Sequence, residues 1–208
     1  MIKAFKYRIY PNRSQEILFS KTFGCVRLIW NANVASFNSY DKEDNPKPSI
    51  IQKSDLIEDR PWLSEVSAAA IQQKVADFKE TVKQYFSKNR GKKIGRPSFK
   101  KKGNTQSYRL PNQKFRIEGD RIRLEKIGWV KVVIDRNIPE NGKILSCTIS
   151  KNPANQYFVS ITVDCEITKK PKTGKEVGID LGIKEFATLS DGIVIDNPKY
   201  LRENQSRI

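Results

Sequence analysis

The chain has 208 residues, 38% of them hydrophobic, with ten Phe, seven Tyr and three Trp, enough for one large core or two small ones and too much for a disordered polymer. Its 39 Lys and Arg against 23 Asp and Glu leave a formal charge of +16, an excess that folding does not need and that a polyanionic partner uses. The absence of histidine excludes Ser-His-Asp and Cys-His mechanisms, and Cys25, Cys147 and Cys165 are too few and too scattered for a disulfide framework or a CxxC zinc knuckle.

The first ten residues alternate Phe5, Tyr7 and Ile9 with Lys6 and Arg8 before Pro11, the period-2 pattern of a half-buried strand. That alternation is unlike the unbroken apolar stretch of a signal peptide. No window approaches the roughly 20 apolar residues of a membrane span. A cytoplasmic protein with no membrane partner is expected. From Ser14 to Tyr40 the residues Ile17, Leu18, Val26, Ile29 and Trp30 repeat at helical spacing, with Gly24 as a break between two helices. Segment 41–60, with two prolines, reads as a loop. After Pro61 the series Ile71, Val75, Phe78, Val82 and Phe86 predicts a long amphipathic helix over Leu63–Ser87.

Residues 81–117 contain no acid and twelve Lys or Arg, whereas a plain solvated loop mixes signs. This reads as a phosphate-binding track, with Phe99 and Tyr108 available to stack on bases and Gly91, Gly95 and Gly103 giving a flexible segment that orders on its ligand. Beyond residue 112, KFRIEG, DRIRLEKIGWVKVVI, GKILSCTIS and QYFVSITVDCEI are short antiparallel strands, with turns at Gly119-Asp120, Asn141-Gly142 and Asn152–Asn155. One strand, then helices, then several strands predicts a small β-barrel with a helical insertion. The lysine-rich ITKKPKTGKE, Ile167–Glu176, then marks a boundary.

Past that boundary, VGIDLGIKEFATLSDG, Val177–Gly192, sets Asp180 in an apolar run. Three roles fit: a structural aspartate capping the turn, a phosphate loop of the sugar-kinase and actin type, or an Mg²⁺ ligand on the first strand of an RNase H-shaped nuclease. The phosphate loop would continue with small hydroxyl residues, and Ile183, Lys184 and Glu185 follow instead. For the nuclease, Gly182 would leave room for the nucleic-acid backbone, and FATLS, a type I′ turn at Asp191-Gly192 and IVID would form the hairpin that follows.

Together KAFKYRIYPN, PWLSEVSAAAIQQKVADFKETVKQYF, GKKIGRPSFKKKGNTQSYR, LEKIGWVKV, GKILSCTIS and VGIDLGIKEFATLSDG resemble the N-terminal half of the TnpB family. These are RNA-guided DNA nucleases of insertion sequences, known also as OrfB transposases and related to type V CRISPR effectors. The resemblance implies an α+β fold. A wedge or OB-like β-barrel over 1–12 and 112–170 would carry a helical recognition insertion over 13–111, and 171–208 would begin a RuvC domain with its first β-hairpin.

It implies Asp180 as the first catalytic carboxylate and Mg²⁺ ligand. Nucleic-acid contacts would come from Gln72, Gln73, Lys92, Lys93, Arg96, Lys100, Lys101, Lys102, Tyr108 and Arg109. The partners would be a guide RNA and double-stranded DNA carrying a target-adjacent motif. Two further RuvC carboxylates and a four-cysteine zinc ribbon are missing from the sequence, so Zn²⁺ is expected only in a C-terminal part beyond it. The rival expectation is a cleavage-inactive RNA- and DNA-binding relative acting as a repressor.

Overall fold

A computed structural model describes residues 1–40, 48–87, 95–166 and 173–205. The chain divides into two compact units, Met1–Ile167 and Thr168–Ile208.

The first unit opens with strand β1, Ile2–Tyr10, whose alternate residues Tyr7 and Ile9 are buried. Helix α1, Arg13–Asn38, follows at once, started by a capping box. Asn12 Oδ1 accepts from the Gln15 backbone N–H at 2.9 Å, and Gln15 Oε1 accepts from Asn12 N–H at 3.0 Å. The Gln15 amide also donates to the Trp129 carbonyl at 2.7 Å, so one side chain caps the helix and ties it to the sheet.

The expected break at Gly24 is absent, because α1 runs through it without interruption. A glycine weakens a helix but does not stop one whose flanking residues Phe19, Phe23, Val26 and Ile29 are all buried. A β-carbon at Gly24 would meet nothing within 4 Å. Gly24→Ala should therefore raise stability by about 0.5–1 kcal/mol, read as a higher denaturant midpoint at unchanged slope.

After α1, fully buried Asn33 holds the 49–52 segment. Its amide donates to the Ile29 and Ile51 carbonyls, both at 2.8 Å, and its oxygen accepts from Ile51 N–H at 3.0 Å. A short 3₁₀ turn, Pro61–Ser64, precedes helix α2, Ala68–Phe86. The helix expected from Leu63 thus starts five residues later. Ser67 takes the N-cap position, accepting from Ala70 N–H and donating to Glu125.

Strand β2 is Gln106–Pro111, within the stretch assigned above to the basic loop. Then come β3, Phe115–Glu118; β4, Arg121–Leu124; β5, Gly128–Val133; β6, Lys143–Lys151; and β7, Tyr157–Asp164. All pair antiparallel in one curled sheet of order β2-β6-β7-β1-β5-β4-β3. Strands β2 and β3 are its edges, so the sheet is a half-barrel rather than a closed barrel, and the helices enter the chain between β1 and β2. The turn at 152–155 places Asn155 in the left-handed region at φ +57°, which an asparagine tolerates. The concave face buries Tyr7, Ile9, Leu110, Ile122, Val130, Ile149, Val159 and Ile161 against Phe19, Phe23 and Val26 of α1. Two smaller clusters join α1 to α2 through Ile29, Leu63 and Ile71, and through Trp30, Val34 and Phe78.

The second unit is a three-stranded antiparallel meander, β8, Ile179–Leu181; β9, Glu185–Leu189; and β10, Val194–Asp196, followed by a short helix α3, Tyr200–Asn204. Its hairpin turn is not type I′. Gly192 alone has positive φ, at +86°. The Gly192 N–H donates to the Leu189 carbonyl at 3.0 Å and the Leu189 N–H to the Ile193 carbonyl at 2.8 Å. That is a three-residue loop with glycine at the left-handed position, which spares Asp191 the positive φ that a type I′ turn demands of both central residues. Among its described side chains only Ala187 is buried, and Leu181 and Ile183 are 71% and 91% exposed.

Candidate nucleic-acid interface

Among the described residues, the 95–105 segment has no regular secondary structure, yet α1 pins it at several points. The Trp30 indole N–H donates to the Ser98 carbonyl at 2.9 Å. Asn31 holds Lys100 at both backbone groups, accepting from its N–H at 2.8 Å and donating to its carbonyl at 3.1 Å. The Gln106 amide reaches the carbonyls of Lys101, Lys102 and Asn104 at 3.0, 3.2 and 2.7 Å. Arg27 in turn donates to the Gln106 oxygen at 2.6 Å. Over these residues the segment makes a ledge, with the carbonyls of Ser98, Lys100, Lys101, Lys102 and Asn104 satisfied internally.

That arrangement leaves the cationic ends outward. Arg96, Lys100, Lys101 and Lys102 are exposed. The Lys100 ammonium lies 4.5 Å from the Trp30 ring centroid and the Arg96 guanidinium 5.5 Å from that of Phe37. Aromatic faces thus orient two of the cations without neutralising them. Phe99, 55% exposed, stands among them, free to stack.

Tyr108 does not share that role. It sits on β2 with 1% exposure, its ring 5.5 Å from Phe23 and 6.5 Å from Phe19, and burial pushes its hydroxyl well above the ordinary tyrosine range. The Tyr108, Leu110 alternation of an inner sheet face decides its direction. Arg109, on the opposite face of β2, gives its guanidinium to Asp77 of α2 at 2.6 Å, so its charge serves the sheet-helix contact. Gln72 is exposed and Gln73 half-buried on α2. Gln72 lies about 200° around the helix from Lys74 and so faces away from the ledge. Lys92 and Lys93 lie outside the described residues.

Sequence reasoning missed several contributors: Arg27, Trp30, Asn31 and Gln106, which set the ledge, and Lys74. Lys74 had a signal. It falls on the buried stripe of Ile71, Val75 and Phe78, where a lysine is out of place. It is only 7% exposed, and burial holds its ammonium below the usual lysine range.

In the second unit Asp180 is the middle residue of β8, exposed and paired across the strand with Thr188 of β9. Asp191 caps its own turn, accepting from Ile193 N–H at 3.2 Å, and Asp196 lies on β10 opposite Glu185. Among the described residues no group of three His, Cys, Asp or Glu is placed to hold a metal. Gly182 has its own structural reason, because a β-carbon there would meet the Glu185 carbonyl at 2.9 Å.

A curled antiparallel sheet interrupted by two long helices, with a pinned cationic ledge on the helical side, makes this an α+β protein. Residues 1–41 match a family model described as the helix-turn-helix domain of OrfB of IS605, although here Ile2–Tyr10 form a strand and Arg13–Asn38 one continuous helix. Residues 156–208 match the OrfB IS605 model described as a probable transposase. Over 99% of the chain there is 32% identity to a Streptomyces pristinaespiralis protein named "Putative RNA-guided DNA endonuclease". Over its whole length there is 28% identity to Escherichia coli InsQ, which carries the same name. A Mycobacterium tuberculosis relative is 24% identical over 96% of the chain. The chain is similar to this OrfB, or TnpB, family over nearly its whole length and spans about half the length of the curated relatives it matches.

Proposed function

We propose that the chain is the recognition half of a transposon-associated RNA-guided DNA endonuclease. It binds a guide RNA and a short DNA motif beside the target, and base pairing supplies most of the sequence specificity. The observation that carries this is the ledge, four exposed cations on a backbone fixed before any ligand arrives. A polyanion gains from such pre-organisation, since little ordering remains to be done on binding. The second unit, with its open apolar strands, is read as the start of a RuvC domain whose remaining strands and carboxylates come from sequence beyond this half. Mg²⁺ would there be held by Asp180 with two further acids, activating water and stabilising the leaving oxygen.

Gln72 matches a position that the family resemblance assigns to motif reading, and a glutamine amide can bond bidentately to adenine in the major groove. Selection of duplexes with randomised flanks, on the chain loaded with RNA transcribed beside its own reading frame, should enrich one short motif. Gln72→Ala should relax one position of that motif, by about 1–3 kcal/mol of discrimination. No enrichment with the parent chain would defeat the guided-recognition reading. An identical motif with the variant would remove Gln72 from it.

A further inference from the structure

The ledge, α1 and α2 enclose a cavity of about 320 Å³, lined among others by Arg27, Trp30, Lys74, Phe99, Lys100 and Ser107. We infer that this cavity is a subsite for one nucleotide of a bound strand, with Lys74 and Lys100 on its phosphate and Phe99 along its base, an assignment that rests on the nucleic-acid reading above.

Charge is the first argument. Lys74 is buried on the apolar stripe of α2, and its ion-pair partner among the described residues is Asp77 at 3.4 Å. The same carboxylate takes the Arg109 guanidinium at the closer distance of 2.6 Å. One acid therefore answers two cations, while Lys100 and Arg27 add two more at the cavity wall. The Lys74 and Lys100 ammoniums lie 5.9 and 4.5 Å from the same Trp30 ring. A buried, under-compensated ammonium is costly to keep, and its place in the stripe would be filled as well by methionine. An anion from outside completes the arrangement.

Size and lining give the second argument. The cavity sits at the lower end of ligand pockets, which run roughly 300–1,000 Å³. A lone phosphate would leave most of it empty. Asn104, Thr105 and Ser107 add the hydroxyls and amide that a base edge uses, and Phe99 supplies an exposed ring. Lys101 lines the cavity and exposed Lys102 follows it in the chain, a course along which a strand would continue, so the phosphate comes from a polynucleotide rather than from a free metabolite.

The test uses Lys74→Met in the 208-residue chain, with a short single-stranded RNA and fluorescence anisotropy across salt concentrations. Affinity should fall about tenfold and the salt slope by about 0.7, one phosphate contact on a single strand. The melting temperature should stay or rise, because burial lowers the folded-state pKa of Lys74 and its charged form works against folding. Unchanged binding by Lys74→Met, while Ala at Lys100, Lys101 and Lys102 weakens it, overturns the subsite and leaves the broader reading standing. Loss in neither variant overturns both.

Should the variant unfold, carbon-13 NMR of the lysine side chains in the unaltered chain decides. The Lys74 signal should shift and saturate with the oligonucleotide at lower concentration than with uridine 5′-monophosphate. No shift with either, or inorganic phosphate matching both, overturns the nucleotide assignment. A monophosphate that binds more tightly than the strand overturns the strand as its source.

Discussion

Replacing Lys100, Lys101 and Lys102 together with alanine is expected to weaken nucleic-acid binding about a hundredfold near 0.1 M salt. The salt slope should drop by up to about 3 units on duplex, where each phosphate contact contributes about 0.9. The ledge makes this a test of charge rather than of folding. Its backbone is fixed by Asn31, Trp30 and Gln106 through the carbonyls and N–H of the loop, groups that alanine leaves in place. Circular dichroism of the triple variant should match the parent. Lys101 and Lys102 should carry most of the change, because Lys100 also rests on Trp30 and loses some of its gain to that contact. A slope that stays put would reduce the ledge to a solvated surface.

The legible parts of this fold were those in which one period dominates. Tyr7 and Ile9 set the inward face of β1, and Ile71, Val75 and Phe78 the stripe of α2, and the structure keeps both. Strand β2 was missed because Tyr108 and Leu110 give only two inward positions, at the end of a lysine-rich run that reads as loop. Its pairing with β6, from Gln106 opposite Lys151 to Pro111 opposite Ser146, is a long-range choice no local window contains. The ledge was half legible. Its charges stand in the sequence, whereas its rigidity comes from Asn31 and Trp30, nearly 70 residues before the groups they bind. Gly24 misled for the opposite reason, since local propensity favoured a break and burial on both sides overrode it.

The expected effect at Asp180 is larger still. With guide RNA, target and Mg²⁺, the 208-residue chain should bind without cutting, whereas a form extended through a complete RuvC domain should cut, and Asp180→Ala in that form should abolish cutting while leaving binding intact. The number of metal ligands decides this. A single exposed carboxylate on β8 can hold one Mg²⁺ that keeps most of its waters. An in-line displacement needs two ions about 4 Å apart, one for the attacking water and one for the leaving oxygen, and so several acids converging from different strands.

Asp191 is committed to its turn. Asp196 sits two strands away across β9, facing Glu185. Neither supplies the missing bonds. In a cooperating set, removing one ligand removes nearly all of the rate, so the loss at Asp180 should approach the uncatalysed level rather than a modest fraction. Parallel cleavage and gel-shift assays on both lengths make the comparison. Robust cutting by the short chain would show that the carboxylates seen here suffice. An extended protein that still cuts with alanine at 180 would move the metal to another residue.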